Sequence, residues 1–163
     1  MEEIHFPERY TPGTTDNFVS NETFVKGLSA QQVWPFLHDT ATWPGYYENV
    51  SDLSTPNGSR LNRGDRFSFA TFGFPPLEAE VIECEPPGSG RAARLAWRAW
   101  MPDRTLDVVH AWLLEDLAGD RVRILTQESQ LGPSAAELAA QRPNPMLNGH
   151  QAWLDGLIAA ASR

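Results

Sequence analysis

The sequence contains almost no cysteine and has no excess of basic residues. Cys84 is the only cysteine in 163 residues, which excludes an intramolecular disulfide and any metal site built from several cysteines. Thirteen basic residues stand against 21 acidic ones, giving a formal net charge of −8. An acidic chain without blocks of like charge does not attract phosphate backbones or anionic membranes, so we expect no nucleic-acid partner and no membrane insertion.

Long hydrophobic runs are also missing. The first five residues lack the basic start and apolar stretch of a signal peptide, and no segment is long enough to span a bilayer. We therefore expect a cytoplasmic protein. The sequence does not predict the oligomeric state, and both a monomer and a homodimer remain open.

Motifs for metals, phosphates and nucleophiles are absent as well. The four histidines, His5, His38, His110 and His150, show no paired ligand spacing, so only long-range assembly of the chain could create a metal site. No glycine motif that cradles phosphates is present. Cys84 should alternate to the outer side of its strand, where a nucleophilic role is not expected. We predict no metal and no cofactor.

The composition and length are those of one globular domain. Hydrophobic residues make up 41% of the chain, aromatic residues make up 10%, and there are six tryptophans. Residues 1–16 contain two prolines and no periodicity, so we predict an N-terminal arm that packs on the body or frays. Residues 17–163 form the predicted single domain.

A long helix is predicted over Pro145–Ser162. Apolar residues recur there at spacings of three and four, as on one side of a helix. Asn144 is a suitable N-cap, and Pro145 suits the first helical position. Earlier in the chain, Ser29 and Ser134 each precede a glutamine or glutamate by three residues, which predicts capping boxes that open two shorter helices.

Between these helices the chain alternates like strands separated by turn residues. The predicted strands are Phe18–Lys26, Tyr46–Leu53, Arg66–Phe72, Leu77–Glu85, Arg94–Trp100, Arg104–Glu115 and Arg121–Leu131. We therefore predict an α+β fold in which a curved antiparallel sheet closes over the C-terminal helix, with two short helices after the first strand.

Strand alternation predicts which side chains face the helix. Arg123 and Asp107 should point to solvent. If the last hairpin pairs Leu114 with Val122, His110 faces Thr126, and His110 and Glu128 are diagonal neighbours about 7–8 Å apart at Cα.

The predicted concave face is apolar, with a few polar groups, as in a small-molecule pocket. His110 and Glu128 are the candidate catalytic residues, because a buried carboxylate with a raised pKa can act as an acid or base. A hydrogen-bonded structural role is the alternative for both. The candidate ligand-binding residues are Phe67, Phe69, Trp97, Trp112, Thr126, Gln130, His150 and Trp153.

Several segments, in this order, resemble the START-like SRPBCC superfamily, which includes polyketide cyclase/dehydrase-like proteins and pollen-allergen-type ligand carriers. They are Ser29–Asp39 followed by Trp43-Pro44, Leu61–Phe67, Val81–Pro87, His110–Glu115 leading into Asp120–Glu128, and Leu147–Leu157. The resemblance covers residues 17–162. It implies a helix-grip (START/Bet v 1-like) fold with a hydrophobic cavity between sheet and helix. The superfamily has no shared catalytic motif, so it assigns no catalytic residue.

Three functions are compatible with this reading. The first is binding of a small hydrophobic ligand, either aromatic, polyketide-like or lipid, in the cavity. The second is an enzyme of the polyketide cyclase/dehydratase type, in which His110 or Glu128 moves a proton. The third is a co-chaperone-like interaction module, which predicts a filled core without a cavity.

Overall fold

The computed structural model describes residues 1–163 and contains seven strands and three α-helices. The strands are β1 (Asn17–Lys26), β2 (Ser51–Ser54), β3 (Arg66–Ala70), β4 (Leu77–Glu85), β5 (Ala93–Trp100), β6 (Asp107–Leu117) and β7 (Arg121–Leu131). The helices are α1 (Ala30–His38), α2 (Pro133–Ala140) and α3 (Pro145–Ala161), and 3₁₀ turns occupy Glu8–Tyr10 and Thr40–Gly45.

All seven strands belong to one antiparallel sheet with the order β1-β7-β6-β5-β4-β3-β2. The first strand therefore pairs with the last one, and α1 and the second 3₁₀ turn connect β1 to the opposite edge. The sheet is curved and α3 follows it. This confirms the predicted α+β fold, with two short helices after the first strand.

Helix α3 begins as the sequence predicts. The Asn144 side chain accepts a hydrogen bond from the Met146 amide, and Pro145 takes the first helical position, where its missing N–H costs nothing. No helix in the chain has the length and apolar character that crossing a membrane requires. The side chains that α3 buries are Met146, His150, Trp153, Leu154, Leu157 and Ala160.

Four tryptophans fill the space between the sheet and α3. Trp153 lies 5.0 Å from Trp43, 5.9 Å from Trp97 and 5.4 Å from Trp112, measured between ring centroids. All four are 2% exposed or less. Large rings in such contact leave little room for a ligand, so much of the predicted cavity is packed core.

Side chains on the outer face of the sheet are more buried than predicted, because the N-terminal arm covers part of this face. Arg123, predicted to point to solvent, is 7% exposed and donates hydrogen bonds to the Glu2 carbonyl and the Glu22 carboxylate, each at 2.6 Å. Asp107, also predicted to face solvent, is 4% exposed and accepts a hydrogen bond from the Tyr10 hydroxyl at 2.8 Å.

The predicted register of the β6–β7 hairpin is wrong by two residues. Leu114 pairs with Ile124 rather than Val122, and the ladder closes at Leu117 and Arg121. The predicted pairing places Glu115 opposite Arg121 and leaves the five residues 116–120 for the turn, whereas the observed ladder extends β6 to Leu117 and leaves only residues 118–120. Gly119 and Asp120 supply the positive φ angles of this turn, 83° and 56°.

Three local predictions also need correction. Helix α2 begins at Pro133, with Gly132 as its N-cap, so Ser134 lies inside the first turn and forms no capping box. The segment 46–50 forms turns and not a strand, with the Tyr47 amide donating to the Trp43 carbonyl and the Val50 amide to the Tyr47 carbonyl, and β2 is confined to Ser51–Ser54. A bulge between residues 81 and 83 reverses the alternation in β4, so Cys84 packs against the core.

Replacing a leucine on the buried face of α3 tests how much the sheet–helix contact stabilises the protein. Leu154 is fully buried, and we expect Leu154→Ala to lower the free energy of unfolding by about 3 kcal/mol through lost burial and the cavity left behind. Leu147 on the same helix is 41% exposed, and Leu147→Ala should change it by less than about 0.5 kcal/mol. Urea unfolding measures both, and equal effects would contradict this packing.

Candidate functional site

The candidate site joins the last two strands to the C-terminal helix. His110 on β6 and Glu128 on β7 are direct partners in the ladder, with Nδ1 of His110 3.6 Å from Oε1 of Glu128. His150 reaches the same carboxyl group from α3, with its Nε2 3.8 Å from Oε2. All three residues are at most 5% exposed. The fold therefore brings together one carboxyl group and two imidazoles that are far apart in the sequence.

The contacts of Thr126 favour one tautomer of His110. The Thr126 hydroxyl lies 3.2 Å from the Ala111 carbonyl and 2.8 Å from Nε2 of His110. With its only proton directed at the carbonyl, the hydroxyl accepts a hydrogen bond from Nε2, which then carries the hydrogen of the imidazole. Nδ1 of His110 is then an unprotonated lone pair, and it faces Glu128.

A chain of side-chain amides fixes the orientation of Glu128. The Asn144 oxygen is committed to capping α3, so its NH₂ group donates to the Asn17 oxygen at 2.8 Å. Asn17 donates to the Gln130 oxygen at 2.8 Å, and Gln130 donates to Oε2 of Glu128 at 2.5 Å. Because every amide in the chain donates in the same direction, Oε2 is an acceptor, and a proton on Glu128 must sit on Oε1, beside His110.

Burial makes the neutral form of each group the stable one. Desolvation raises the pKa of Glu128 to about 8, despite the opposing hydrogen bond from Gln130. Desolvation lowers the pKa of His150 to about 3. It also lowers the pKa of His110 well below its ordinary value, and the neighbouring His150 adds to that shift. At neutral pH the cluster therefore holds a protonated carboxyl group and two neutral imidazoles, and its close contacts are not ion pairs.

A small cavity adjoins this cluster. Its volume is about 20 Å³, enough for one water molecule or one polar group of a ligand. Two polar atoms of its lining residues are buried without a partner, Nδ1 of His150 and Oγ1 of Thr71. The lining residues are Tyr47, Phe69, Thr71, Phe72, Phe74, Leu77, Leu106, Val108, His110, Glu128, Gln130, Met146, His150 and Trp153.

The three polar side chains have the donor types of a metal site, but their geometry does not fit one. One donor atom from each of His110, Glu128 and His150 lies within 4.8 Å of the others. However, the two imidazoles are stacked, with centroids 4.3 Å apart and planes only 14° from parallel. A metal ion must lie close to the plane of each imidazole that binds it. Nearly parallel stacked planes share no such point, so one ring would have to turn.

The structure separates the predicted ligand-binding residues into two groups. Phe69, Gln130, His150 and Trp153 line the cavity together with the predicted catalytic pair. The other four lie behind this lining: Phe67, Trp97 and Trp112 are packed in the core, and Thr126 supports His110.

Three residues that line the cavity, Tyr47, Thr71 and Phe72, were not among the site residues predicted from the sequence. Tyr47 stacks on Trp153, with ring centroids 4.5 Å apart, and accepts a hydrogen bond from Asn49. Thr71 and Phe72 lie just after β3, in a segment predicted to continue the strand. Only the aromatic character of residues 45–47 gave a signal, since an aromatic turn can line an entrance.

The chain belongs to the same family as the hypothetical protein jhp0584 from Helicobacter pylori. The two are 50% identical, the match covers 99% of this chain and 97% of the other, and the TM-score is 0.92. No protein-family model and no curated protein matches the chain.

More distant solved structures share the fold. A norcoclaurine synthase from Thalictrum flavum has a TM-score of 0.65 at 13% identity, covering 89% of this chain and 93% of the other. The di-domain ARO/CYC protein BexL has a TM-score of 0.61 at 10% identity, covering 86% of this chain and 45% of the other. These likenesses are consistent with the helix-grip superfamily and establish the fold alone.

The pH dependence of stability tests the neutral state of Glu128. Because its pKa is raised from 4.5 to about 8, the folded state holds a proton that the unfolded state has lost across this range. Stability should therefore fall as the pH rises, by about 1.4 kcal/mol per pH unit from this group. The two histidines oppose this slope, because their unfolded forms are still half protonated at their ordinary pKa of 6.5 and lose the proton only about one pH unit higher. The Glu128 slope is therefore read as the difference between wild type and a Glu128→Gln variant, which keeps both histidines.

Urea unfolding from pH 6.5 to about 8 measures this slope. Glu128→Gln keeps a neutral side chain and should remove it, while Glu137→Gln at an exposed position of α2 should leave it unchanged. A wild-type profile that matches Glu128→Gln throughout this range would show that Glu128 is ionised in the folded protein.

Proposed function

We propose that this protein binds a compact, uncharged, largely hydrophobic molecule whose polar group is held by Glu128, His110 and His150. The observation that carries the proposal is the burial of these three ionisable side chains beside one water-sized cavity. Burying such groups is costly, and apolar residues of similar volume would fill the same space more stably. Ligand binding explains why three ionisable side chains are buried together, whereas core packing does not.

The unpaired atoms of the cluster define the polar group that it would hold. Nδ1 of His110 offers a lone pair, and Oε1 of Glu128 offers a proton at neutral pH. The two atoms lie 3.6 Å apart, longer than a direct hydrogen bond. A hydroxyl or carbonyl group beside them would complete the hydrogen bonding that they lack. A charged ligand is disfavoured, because no neighbouring ion would neutralise it.

The walls of the cavity account for the hydrophobic part of the ligand. Phe69, Phe74, Leu77, Val108 and Trp153 are among its lining residues, and apolar contact of this kind supplies affinity without direction. Long acyl chains do not suit the site, since the space is small and the tryptophans behind it are closely packed.

An acid–base enzyme is the second candidate, and the protonated state of Glu128 favours it. A carboxylic acid and an imidazole lone pair adjoin the same cavity, so Glu128 could give a proton to a ligand while His110 removes one from it. Cyclisation and dehydration both need this pairing. The fold is shared with a protein named as a synthase and with one named as an ARO/CYC protein.

The interaction-module reading gains support from the small cavity, because a nearly filled core is what it predicts. It gives no reason, however, for burying a carboxyl group and two imidazoles together. We therefore place it third and let the experiment decide.

Native and denaturing mass spectrometry of the protein purified without added ligand tests the binding proposal. We expect a discrete extra mass under native conditions that disappears on denaturation. Glu128→Leu removes the polar anchor and should weaken binding about 10- to 100-fold, because the polar group of the ligand would be buried without a partner. Gln127→Leu, on the same strand with its side chain on the outer face, should have no effect.

Glu128→Gln separates the two leading functions. It retains a neutral hydrogen-bonding side chain, so a binder should keep its ligand within a few-fold of wild-type affinity. An enzyme should bind the same compound but no longer convert it, since an amide cannot exchange the proton. A protein that carries no ligand and gains no thermal stability from a panel of aromatic and polyketide compounds would refute both and favour the interaction module.

A further inference from the structure

The loop after β3 holds an aromatic side chain over the cavity in a strained backbone conformation. Phe72 has a φ of 56°, in the left-handed region that bulky residues rarely adopt, and Gly73 follows with a φ of 75°. The Phe72 amide donates to the Asn49 side chain at 3.0 Å, which pins the turn. Strain of this kind persists where the surrounding structure holds the residue in place, and it often marks a binding site.

The Phe72 ring lies on a surface of α3 that accepts a flat ring. A Cβ atom at Gly149 would collide with the Phe72 ring, so only glycine leaves room for it at that position. The neighbouring His150 meets the ring edge-to-face, with centroids 6.4 Å apart and planes at 69°. The ring is half-buried, and the same side chain lines the cavity that adjoins Glu128.

We propose that the Phe72 ring occupies the place of the ligand's own ring, and that the ligand is a single-ring aromatic compound with one uncharged hydrogen-bonding substituent. The inference rests on the proposed binding function. In the bound state, Phe72 swings out, the ligand ring lies on Gly149 and His150, and its substituent enters the water-sized space at Glu128.

The size of the site supports this ligand class. The space vacated by a phenyl ring and the adjoining cavity of about 20 Å³ together match one ring carrying one hydroxyl or carbonyl group. Trp153 limits this space on its inner side, because it is 2% exposed and contacts three other tryptophans. In the free protein, the Phe72 side chain therefore fills the space that the ligand ring takes in the bound state.

Phenol binding to Phe72→Ala, measured by calorimetry and by thermal shift, tests the inference. Phenol should bind this variant at least about tenfold more tightly than wild type, because wild type must first displace its own ring. Toluene should bind it more weakly than phenol, since a methyl group leaves the polar cluster unsatisfied. Phe24→Ala deletes a 47% exposed ring and should bind phenol no better than wild type.

A second substitution tests the location of the ring. In Phe72→Ala/Gly149→Ala the new methyl group takes the space of the ligand ring, and the gain in phenol affinity should be lost. If Phe72→Ala does not fold, Phe72→Leu should show a smaller gain in the same direction. Equal affinities of Phe72→Ala and wild type, or a gain that survives Gly149→Ala, would overturn the inference.

The failure of this inference is distinguishable from failure of the proposed function. If wild type carries a bound molecule but Phe72→Ala gains no affinity for phenol, the ligand sits elsewhere on the cluster and only the role of Phe72 is wrong. If no variant binds phenol and wild type carries no bound molecule, both proposals fail.

Discussion

The one-way chain of amides that ends at Glu128 is the interaction on which the site depends. It begins at Asn144, whose oxygen is held by the cap of α3, and runs through Asn17 and Gln130 to the carboxyl group. Since each amide can donate in only one direction, the chain makes Oε2 an acceptor and directs a proton to Oε1. The N-cap of α3 thus determines, through three successive hydrogen bonds, which oxygen of Glu128 carries the proton.

Burial then raises the pKa of Glu128, so that the carboxyl group keeps this proton at neutral pH. No arginine or lysine forms an ion pair with the cluster, so desolvation is the largest influence on the pKa of each of the three groups, and it favours the neutral form of each. The surrounding tryptophans keep water out and leave a cavity for a single polar group. The same packing that stabilises the sheet against α3 therefore holds a protonated acid beside an imidazole lone pair at neutral pH.

The fold and most inward-facing residues could be predicted from the sequence, because strand alternation and helix capping are local properties. The bulge that turns Cys84 toward the core and the Gly132 cap of α2 could not be predicted in this way. His110 and Glu128 were predicted to be neighbours, but their direct pairing depended on the length of the turn at residues 118–120. The sequence could not show that the arm covers Arg123. Nor could it show that Phe72 lines the cavity, because that depends on how side chains from distant segments pack in the same volume.

The proposed chemistry of the site depends on a protonated Glu128, and a carbon-13 NMR titration of its side-chain carboxyl carbon measures this protonation state directly. The Glu128→Gln variant assigns the signal. We expect a midpoint near pH 8, with the carboxyl group protonated at neutral pH. A midpoint near the ordinary value of 4.5 would show that an ionised carboxylate is stable in this site and that Glu128 is not a buried acid at neutral pH.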